Sequence, residues 1–112
     1  MSRSKGFPEE VKALALKRAR FRCEKCGMCP PTDFHHRQPR GMGGVRGRAA
    51  EVVNGVANCV PLCRSCHEWV ERNRSEARVL GWLVSRYADP REVPVWVRGR
   101  WVILEVDGTV SV

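Results

Sequence analysis

Four cysteines have the spacing of a structural zinc site. Cys23 and Cys26 form one C-x-x-C pair, and Cys63 and Cys66 form a second. Thiolates on two such turns provide a complete tetrahedral set for Zn²⁺, which leaves no coordination position for water or substrate. The sequence therefore predicts a zinc ion that stabilises the fold and takes no direct part in catalysis.

A second register is open for the first pair, because Cys26 and Cys29 are also separated by two residues. Gly27 favours Cys23 and Cys26 as the ligands, since a left-handed residue is wanted after the second ligand and glycine adopts that conformation readily. Cys29 and Cys59 are then expected to be ordinary small side chains, with Cys59 on the core side of a strand.

Three histidines and one asparagine lie between and beside the zinc cysteines. They are His35, His36, Asn58 and His67, and the chain has no other histidine. A neutral imidazole can accept a proton from water near neutral pH, and imidazole also binds divalent transition ions. Adjacent residues of a strand point to opposite faces, so His35 and His36 would converge on one phosphate only where the strand bends. A zinc-only fold needs none of these residues, so the pattern predicts a second, catalytic metal site.

The same residues resemble a known nuclease family. Between Cys23 and His67 the pattern C-x-x-C, D-x-H-H, N-x-x-x-L-C-x-x-C-H resembles the HNH endonucleases, and more narrowly the small HNH proteins of actinobacterial phages. Those phage proteins share Cys-Glu-x-Cys-Gly, His-His-Arg and Cys-His-x-Trp-Val, and a tail like that from Gly81 to Trp96. The resemblance covers most of residues 18–110. It implies an α+β protein of the ββα-metal type, in which a β-hairpin packs on a helix around a metal ion.

The resemblance also implies a role for each polar residue of the pattern. His36 matches the general base that activates water. Asn58 matches a residue that pins the hairpin loop and orients His36 or approaches the metal. His35 and His67 match ligands of a catalytic divalent ion, for which Mn²⁺, Ni²⁺, Co²⁺ and Mg²⁺ are the candidates. Glu71 stands where related phage proteins often have a second histidine, one helical turn after His67, and is either a third ligand or a solvated charge.

Positive charge is concentrated in the first half of the chain. The formal net charge is +8, with twelve Lys and Arg against four Asp and Glu in residues 1–48 and eight against eight in residues 49–112. This distribution favours an anionic polymer as partner, and the nuclease pattern favours DNA bound through its backbone with little base readout. The candidate phosphate contacts are Arg37, Arg40, Arg46, Arg48 and Arg74.

Cellular location is predicted from two absent sequence features. Residues 1–7 lack the apolar core of a signal peptide, and no apolar run reaches the length of a membrane span. We therefore expect a cytoplasmic protein with no membrane partner, in the host cytoplasm if a phage encodes it, where cysteine pairs bind metals. The phage relatives suggest the packaging machinery as a partner, while a homing or restriction role would use the same site.

The elements that position these residues are predicted from periodicity and from breakers. A first helix opens at Pro8 and stops near Cys23, with acidic residues at its start and basic residues at its end. The predicted elements that follow are a strand at 33–37, a mobile basic loop at 39–47, a returning strand at 56–60, a helix at 64–74, a short helix capped by Ser75 and broken at Gly81, and a β-prone stretch at 82–87.

The C-terminal residues 93–112 are predicted to form a β-meander, with Asp107-Gly108 as a tight turn. The four tryptophans are expected in the core. We therefore predict one zinc-stapled α+β domain over residues 1–112, with its HNH core at about 18–74 and a β-rich extension at about 75–112. The predicted function is a metal-dependent endonuclease that leaves 5′-phosphate and 3′-hydroxyl ends. The alternative is a zinc-knuckle nucleic-acid-binding module without catalysis.

Overall fold

Four helices and two short sheets form the part of the chain that the structure describes. The computed structural model describes residues 6–39 and 47–112. Within them the elements are α1 (Glu9–Arg18), β1 (Asp33–His36), α2 (Gly47–Val53), a 3₁₀ turn (Val56–Asn58), β2 (Cys59–Leu62), α3 (Arg64–Arg72), α4 (Arg74–Val79), β3 (Val95–Val97), β4 (Arg100–Leu104) and β5 (Val110–Ser111). The protein is a small α+β structure, as predicted, with a radius of gyration of 12.8 Å.

β1 and β2 form an antiparallel hairpin that carries the His-His pair. Their register runs from Asp33 opposite Leu62 to His36 opposite Cys59, so both histidines lie toward the loop end of β1. The returning strand begins at Cys59 instead of residue 56, because the Asn58 amide bonds to a carbonyl three residues earlier and closes a 3₁₀ turn. The predicted basic loop falls mostly on residues 40–46, which lie outside the described residues.

α1 ends earlier than the charge pattern predicts. Its last residue is Arg18, and Arg20 and Phe21 then have φ angles of 59° and 62°, in the left-handed region that a right-handed helix excludes. The chain leaves the helix here because the Cys23 amide donates to the Cys29 carbonyl at 2.7 Å, which closes the first cysteine turn. Phe21, which follows the end of the helix, is consequently exposed.

A buried ion pair joins the end of α1 to the first cysteine turn. Arg18 Nε and Nη2 each donate to one carboxylate oxygen of Glu24 at 2.7 Å. The same guanidinium donates to the carbonyls of Val56 and Cys59 at 3.0 and 2.7 Å. Because both charged groups are buried and fully hydrogen-bonded to each other or to backbone, their desolvation is compensated and the helix is held against β2.

The predicted β-prone stretch at 82–87 forms no strand. Gly81 has a φ of +86°, and a Cβ there would lie 2.0 Å from the Pro94 carbonyl oxygen, so this turn requires glycine. The amides of Trp82 and Leu83 both donate to the Ala77 carbonyl, at 2.9 and 3.3 Å. These bonds close the C-terminal end of α4, which leaves the two amides unavailable for a sheet. The helix itself begins one residue before Ser75, so that residue is not its cap.

The C-terminal strands form an antiparallel sheet in the order β3-β4-β5, in the segment where the sequence predicts a meander. The tight turn between β4 and β5 depends on Asp107, whose Oδ1 accepts from the Thr109 amide and hydroxyl at 2.9 and 2.6 Å. Gly108 follows with a φ of +93°. The hydrogen bonds of this turn are therefore local, since they join residues between Glu105 and Thr109.

One apolar core joins the hairpin, the helices α3 and α4 and the C-terminal sheet. Its largest buried members are Val60, Leu62, Val70, Trp82, Val95 and Leu104. Because residues of β2, α3, β3 and β4 share this cluster, the C-terminal sheet and the hairpin cannot separate without exposing apolar surface.

The tryptophans divide between the core and the surface. Trp82 is buried, and Trp69 packs at the edge of the core. Trp96 and Trp101 pair edge-to-face across β3 and β4 with ring centroids 5.2 Å apart, and both are exposed, so the expectation of a core position is wrong for them. Among residues 6–39 and 47–112, no helix is both long enough and apolar enough to cross a bilayer.

Candidate metal centres

The four predicted zinc ligands lie together in the structure. The sulfurs of Cys23, Cys26, Cys63 and Cys66 all lie within 4.8 Å of one another. The first two come from the turn after α1, and the last two flank the start of α3. This cluster could hold a metal ion such as zinc, and an ion there would link two segments that are distant in sequence.

Backbone amides point at the sulfurs of the first turn. The Cys26 amide donates to Cys23 Sγ at 3.5 Å, and the Met28 amide donates to Cys26 Sγ at 3.4 Å. Gly27 lies between them with a φ of +71°, which allows the second bond. Burial raises the pKa of Cys26, but the amides of Met28 and Cys29 together with neighbouring thiols lower it to about 6. This turn therefore favours a thiolate.

The close packing of the four thiols favours a bound cation. Burial raises the pKa of Cys66, and hydrogen bonds with Cys63 and Cys23 raise it further. A bound dication would reverse this effect, because it stabilises every thiolate in the cluster. Cys29, the alternative ligand of the first pair, is exposed and lies outside the group of four.

A second group of possible metal ligands lies between β1 and α3. It consists of His35, His67 and Glu71, whose ligand atoms also lie within 4.8 Å of one another. The two imidazole rings meet edge-to-face with centroids 5.0 Å apart. Two ring nitrogens and a carboxylate oxygen form a donor set that suits a divalent transition ion.

His35 is held in the protonation state that a ligand needs. Its Nε2 lies 2.8 Å from the Trp82 carbonyl oxygen. Since a carbonyl only accepts, Nε2 carries the hydrogen and Nδ1 keeps its lone pair. Burial lowers the pKa of His35 to about 4, so the ring is neutral at neutral pH. The nitrogen that remains available is therefore Nδ1.

The Nδ1 atom of His67 is hydrogen-bonded to a carboxylate. This atom lies 2.7 Å from Asp33 Oδ2. Burial raises the pKa of Asp33, but hydrogen bonds from His67 and Arg64 lower it below its usual range, so the carboxylate is ionised and accepts the hydrogen. In the neutral ring, Nε2 is then the nitrogen that keeps its lone pair. A carboxylate in this position orients a metal-binding histidine and increases its basicity.

The supporting role of Asp33 was not predicted from the sequence, although the residue is part of the D-x-H-H pattern. The sequence did contain a signal for this role. Residues two apart on a strand lie on the same face, so Asp33 and His35 both face α3 once residues 33–36 form a strand. His67 lies in the first turn of that helix, where both can reach it.

Glu71 lies one helical turn after His67, as the i,i+4 spacing predicts. Its Oε2 is 3.8 Å from His67 Nε2, and its Oε1 accepts from Arg74 Nη1 at 2.7 Å. The side chain is exposed. One oxygen thus faces the histidines while the other is held by an arginine, which limits the movement of the carboxylate.

His36 lies on the opposite face of β1 from His35, as strand geometry requires. Its ring stacks on Phe7 with centroids 3.9 Å apart and an interplanar angle of 17°. Because His36 is the last residue of the strand, it still borders the cleft of about 460 Å³ that His35, His67 and Glu71 line. The two adjacent histidines therefore reach one cleft from opposite faces.

Asn58 has the contacts of a loop anchor. Its Nδ2 donates to the carbonyls of Gln38 and Val53 at 3.1 and 2.8 Å, and its Oδ1 accepts from the Gln38 amide at 2.7 Å. Both amide hydrogens are used in these bonds, and the residue is fully buried. These bonds hold the loop between β1 and β2, which is one of the roles predicted for Asn58, and its roles toward His36 or the metal stay predictions.

The prediction that Arg37 contacts phosphate is wrong. Its side chain is 0% exposed. The guanidinium donates to the carbonyls of Gly81, Ala57, Pro90 and Val93, at 2.7 to 3.0 Å. Three of these bonds tie the end of β1 to residues 81–93, and the fourth ties it to the 3₁₀ turn before β2. The charge is therefore compensated inside the protein and cannot meet DNA.

The other predicted phosphate contacts are only partly described. Arg74 is exposed and borders the cleft beside Glu71. Arg40 and Arg46 lie outside the described residues, and for Arg48 the structure describes only the backbone, within α2.

Comparison of the chain with protein-family models, with curated proteins and with solved structures gives no match. Functional inference therefore depends on the site itself.

Proposed function

We propose that this chain is a metal-dependent endonuclease of the HNH type that hydrolyses DNA phosphodiester bonds with little sequence specificity. The observation that carries the proposal is the orientation of two histidines. His35 and His67 each have one ring nitrogen bonded to a protein acceptor, the Trp82 carbonyl and the Asp33 carboxylate. The remaining nitrogen of each neutral ring can bind a divalent ion, and both residues group with Glu71 as possible metal ligands.

The order of the elements supports the proposal. β1, β2 and α3 form a hairpin followed by a helix, which is the arrangement that the ββα-metal resemblance implies. His35 comes from the hairpin and His67 from the helix, so the donor group lies between the two elements. Cys66 immediately precedes His67, and zinc in the cysteine cluster would therefore fix the start of α3 and with it the position of this histidine.

The residues of the cleft suit hydrolysis of a phosphodiester. A divalent ion held by His35, His67 and Glu71 would polarise the scissile phosphate and stabilise the departing 3′ oxygen. His36 borders the same cleft and would accept the proton of the attacking water as a neutral imidazole. Arg74 at the rim would contact the phosphate backbone. Because the 3′ oxygen is the leaving group, hydrolysis leaves a 5′-phosphate and a 3′-hydroxyl.

The test is relaxation of supercoiled plasmid with Mn²⁺, Co²⁺, Ni²⁺ or Mg²⁺. His36→Ala should lower the cleavage rate by about 10²–10⁴, because the general base is lost. Its zinc content and circular dichroism should match the parent, and added imidazole should restore part of the rate. A wild-type protein that binds plasmid but relaxes it with none of these ions would refute the proposal and favour the non-catalytic binding module.

A further inference from the structure

A second cleft continues from the metal cleft along α4. It has a volume of about 410 Å³ and is lined by Pro39, Arg74, Arg78, Leu83, Val84, Ser85 and Arg86. Pro39, Arg74 and Leu83 line both clefts. The two clefts are therefore neighbouring parts of one groove, and a chain-like ligand seated at the metal site could extend into the second part, which we call the α4 groove.

The α4 groove has a cationic rim over an apolar floor. Leu83 and Val84 are buried, whereas Arg78 and Arg86 are exposed. Across the described parts of the chain neither of these two arginines pairs with an acidic side chain, in contrast to Arg74, which pairs with Glu71. Two uncompensated charges on one rim provide an attractive potential for the phosphates of a polyanion.

An exposed aromatic ring lies next to two residues that line the groove, Ser85 and Arg86. Tyr87 is 86% exposed, and the guanidinium carbon of Arg86 lies 5.1 Å from its ring centroid. The Tyr87 amide donates to Ser85 Oγ at 3.1 Å, which holds the backbone below the ring. A cationic groove beside an exposed aromatic ring combines the two features by which proteins bind unpaired nucleic-acid strands.

We propose that the α4 groove binds an unpaired DNA strand that continues from the metal cleft, with Arg78 and Arg86 on its phosphates and Tyr87 stacked on one base. The identification of the strand as DNA rests on the proposed nuclease function. Bases within a duplex already stack on each other, so only an unpaired base can stack on the ring. The proposal therefore names the preferred substrate class, which is DNA with a single-stranded extension or gap.

The phosphate contacts are tested by the salt dependence of binding. Fluorescence anisotropy with a short oligo-dT, in the absence of added divalent ions, gives the slope of log affinity against log salt. Removing two phosphate contacts in Arg78→Ala/Arg86→Ala should reduce this slope by about 1.4, at about 0.7 per single-strand phosphate. The matched control is Lys17→Ala/Arg100→Ala, which removes two exposed charges outside the groove and should keep the parent slope. Equal slopes in both double variants would overturn the assignment.

The stacking contact is tested with three ligands of equal length: oligo-dT, an abasic strand and a blunt duplex. Tyr87→Ala should weaken oligo-dT binding by about five- to a hundredfold, and Tyr87→Phe should bind like the parent, because it keeps the ring. Abasic strand and duplex should bind Tyr87→Ala as they bind the parent. Weakening of all three ligands alike, or of none, would overturn the stacking role.

The experiment separates this inference from the nuclease proposal, because binding is measured without the cleavage metal. A parent protein that relaxes plasmid while Tyr87→Ala binds oligo-dT normally would overturn the groove and leave the nuclease. A parent that shows the expected binding but never cuts would overturn the nuclease and leave a strand-binding site. Vesicles of phosphatidylserine that compete equally well with oligo-dT would assign the groove to a lipid surface and overturn the proposal.

Discussion

Replacing Asp33 with asparagine should weaken divalent-metal binding at the histidine site without unfolding the protein. Asp33 Oδ2 accepts the hydrogen of His67 Nδ1 at 2.7 Å. Asparagine can still accept through its amide oxygen, so the substitution removes the charge of the acceptor and keeps a hydrogen bond. A hydrogen bond with a charged partner contributes about 1.5–3 kcal/mol, against about 0.5–1.5 kcal/mol for a neutral pair. A carboxylate that supports a metal-binding histidine contributes about ten- to a hundredfold to metal affinity, and because asparagine keeps a hydrogen bond the loss should lie near tenfold.

Calorimetric titration of the zinc-containing protein with Mn²⁺ measures this loss. Asp107→Asn is the matched control, because Asp107 loses the same charge in an exposed turn where it bonds to Thr109. Asp33→Asn should bind Mn²⁺ about tenfold more weakly than the parent, whereas Asp107→Asn should bind it equally well. Both variants should retain zinc and the parent circular dichroism.

Unchanged Mn²⁺ affinity in Asp33→Asn would refute the reasoning that this carboxylate prepares His67 as a ligand. An equal loss in both variants would also refute it, since the effect would then come from net charge. Complete loss of Mn²⁺ binding in Asp33→Asn alone would contradict a supporting role and would make Asp33 itself a ligand.

Cys63→Ser should lose both zinc and the fold, whereas Cys29→Ser should keep both, as checked by elemental analysis and circular dichroism; folded Cys63→Ser protein would contradict this. Stability should fall by about 3 kcal/mol as the pH decreases from 6.5 to 4, because burial holds the pKa of His35 at about 4 and the unfolded chain binds the proton first. The stability of His35→Gln, measured by urea titration at each pH, should lack that part of the pH dependence. An identical pH dependence in the variant and the parent would exclude His35 as its source. Gly81→Ala should cost about 2–4 kcal/mol in the free energy of unfolding, since its Cβ would overlap a carbonyl oxygen at 2.0 Å, whereas Gly99→Ala, with a φ of +100° and open space, should cost about 1–2 kcal/mol. Equal losses of stability in the two variants would show that the positive φ angle, and not the overlap with the carbonyl oxygen, sets the cost. Plasmid cleavage should be faster with Mn²⁺ than with Mg²⁺, because two imidazole ligands suit a transition ion; equal rates would contradict that argument.

Local spacing was enough to predict several parts of this protein. The cysteines Cys23, Cys26, Cys63 and Cys66 meet where two C-x-x-C turns place them. The turn at Asp107 also forms as predicted, because its bonds join residues two apart. The Asp107 turn and each separate C-x-x-C turn depend on a few adjacent residues, whereas the meeting of the two cysteine turns joins segments that are distant in sequence.

Element boundaries were predicted less well, because individual hydrogen bonds decide them. α1 stops at Arg18, whose guanidinium donates to Glu24 and to the carbonyls of Val56 and Cys59. Residues 82–87 have strand-forming side chains, yet the amides of Trp82 and Leu83 close α4 through the Ala77 carbonyl. In the first place tertiary hydrogen bonds, and in the second helix-closing bonds, outweigh a propensity worth about 1 kcal/mol or less per residue.

The sequence by itself determined which residue types are available: four thiols for one metal, and three imidazoles with a carboxylate for chemistry near them. Only the tertiary structure decided the burial and the hydrogen-bond partners of each side chain. Arg37 resembles a surface arginine in the sequence, but its acceptors lie 20 to 56 residues away and bury it. Burial keeps His35 neutral, and a carbonyl 47 residues later fixes which ring nitrogen carries the hydrogen. Burial and hydrogen-bond partners set the charge state of these groups, and both come from segments that local spacing does not relate.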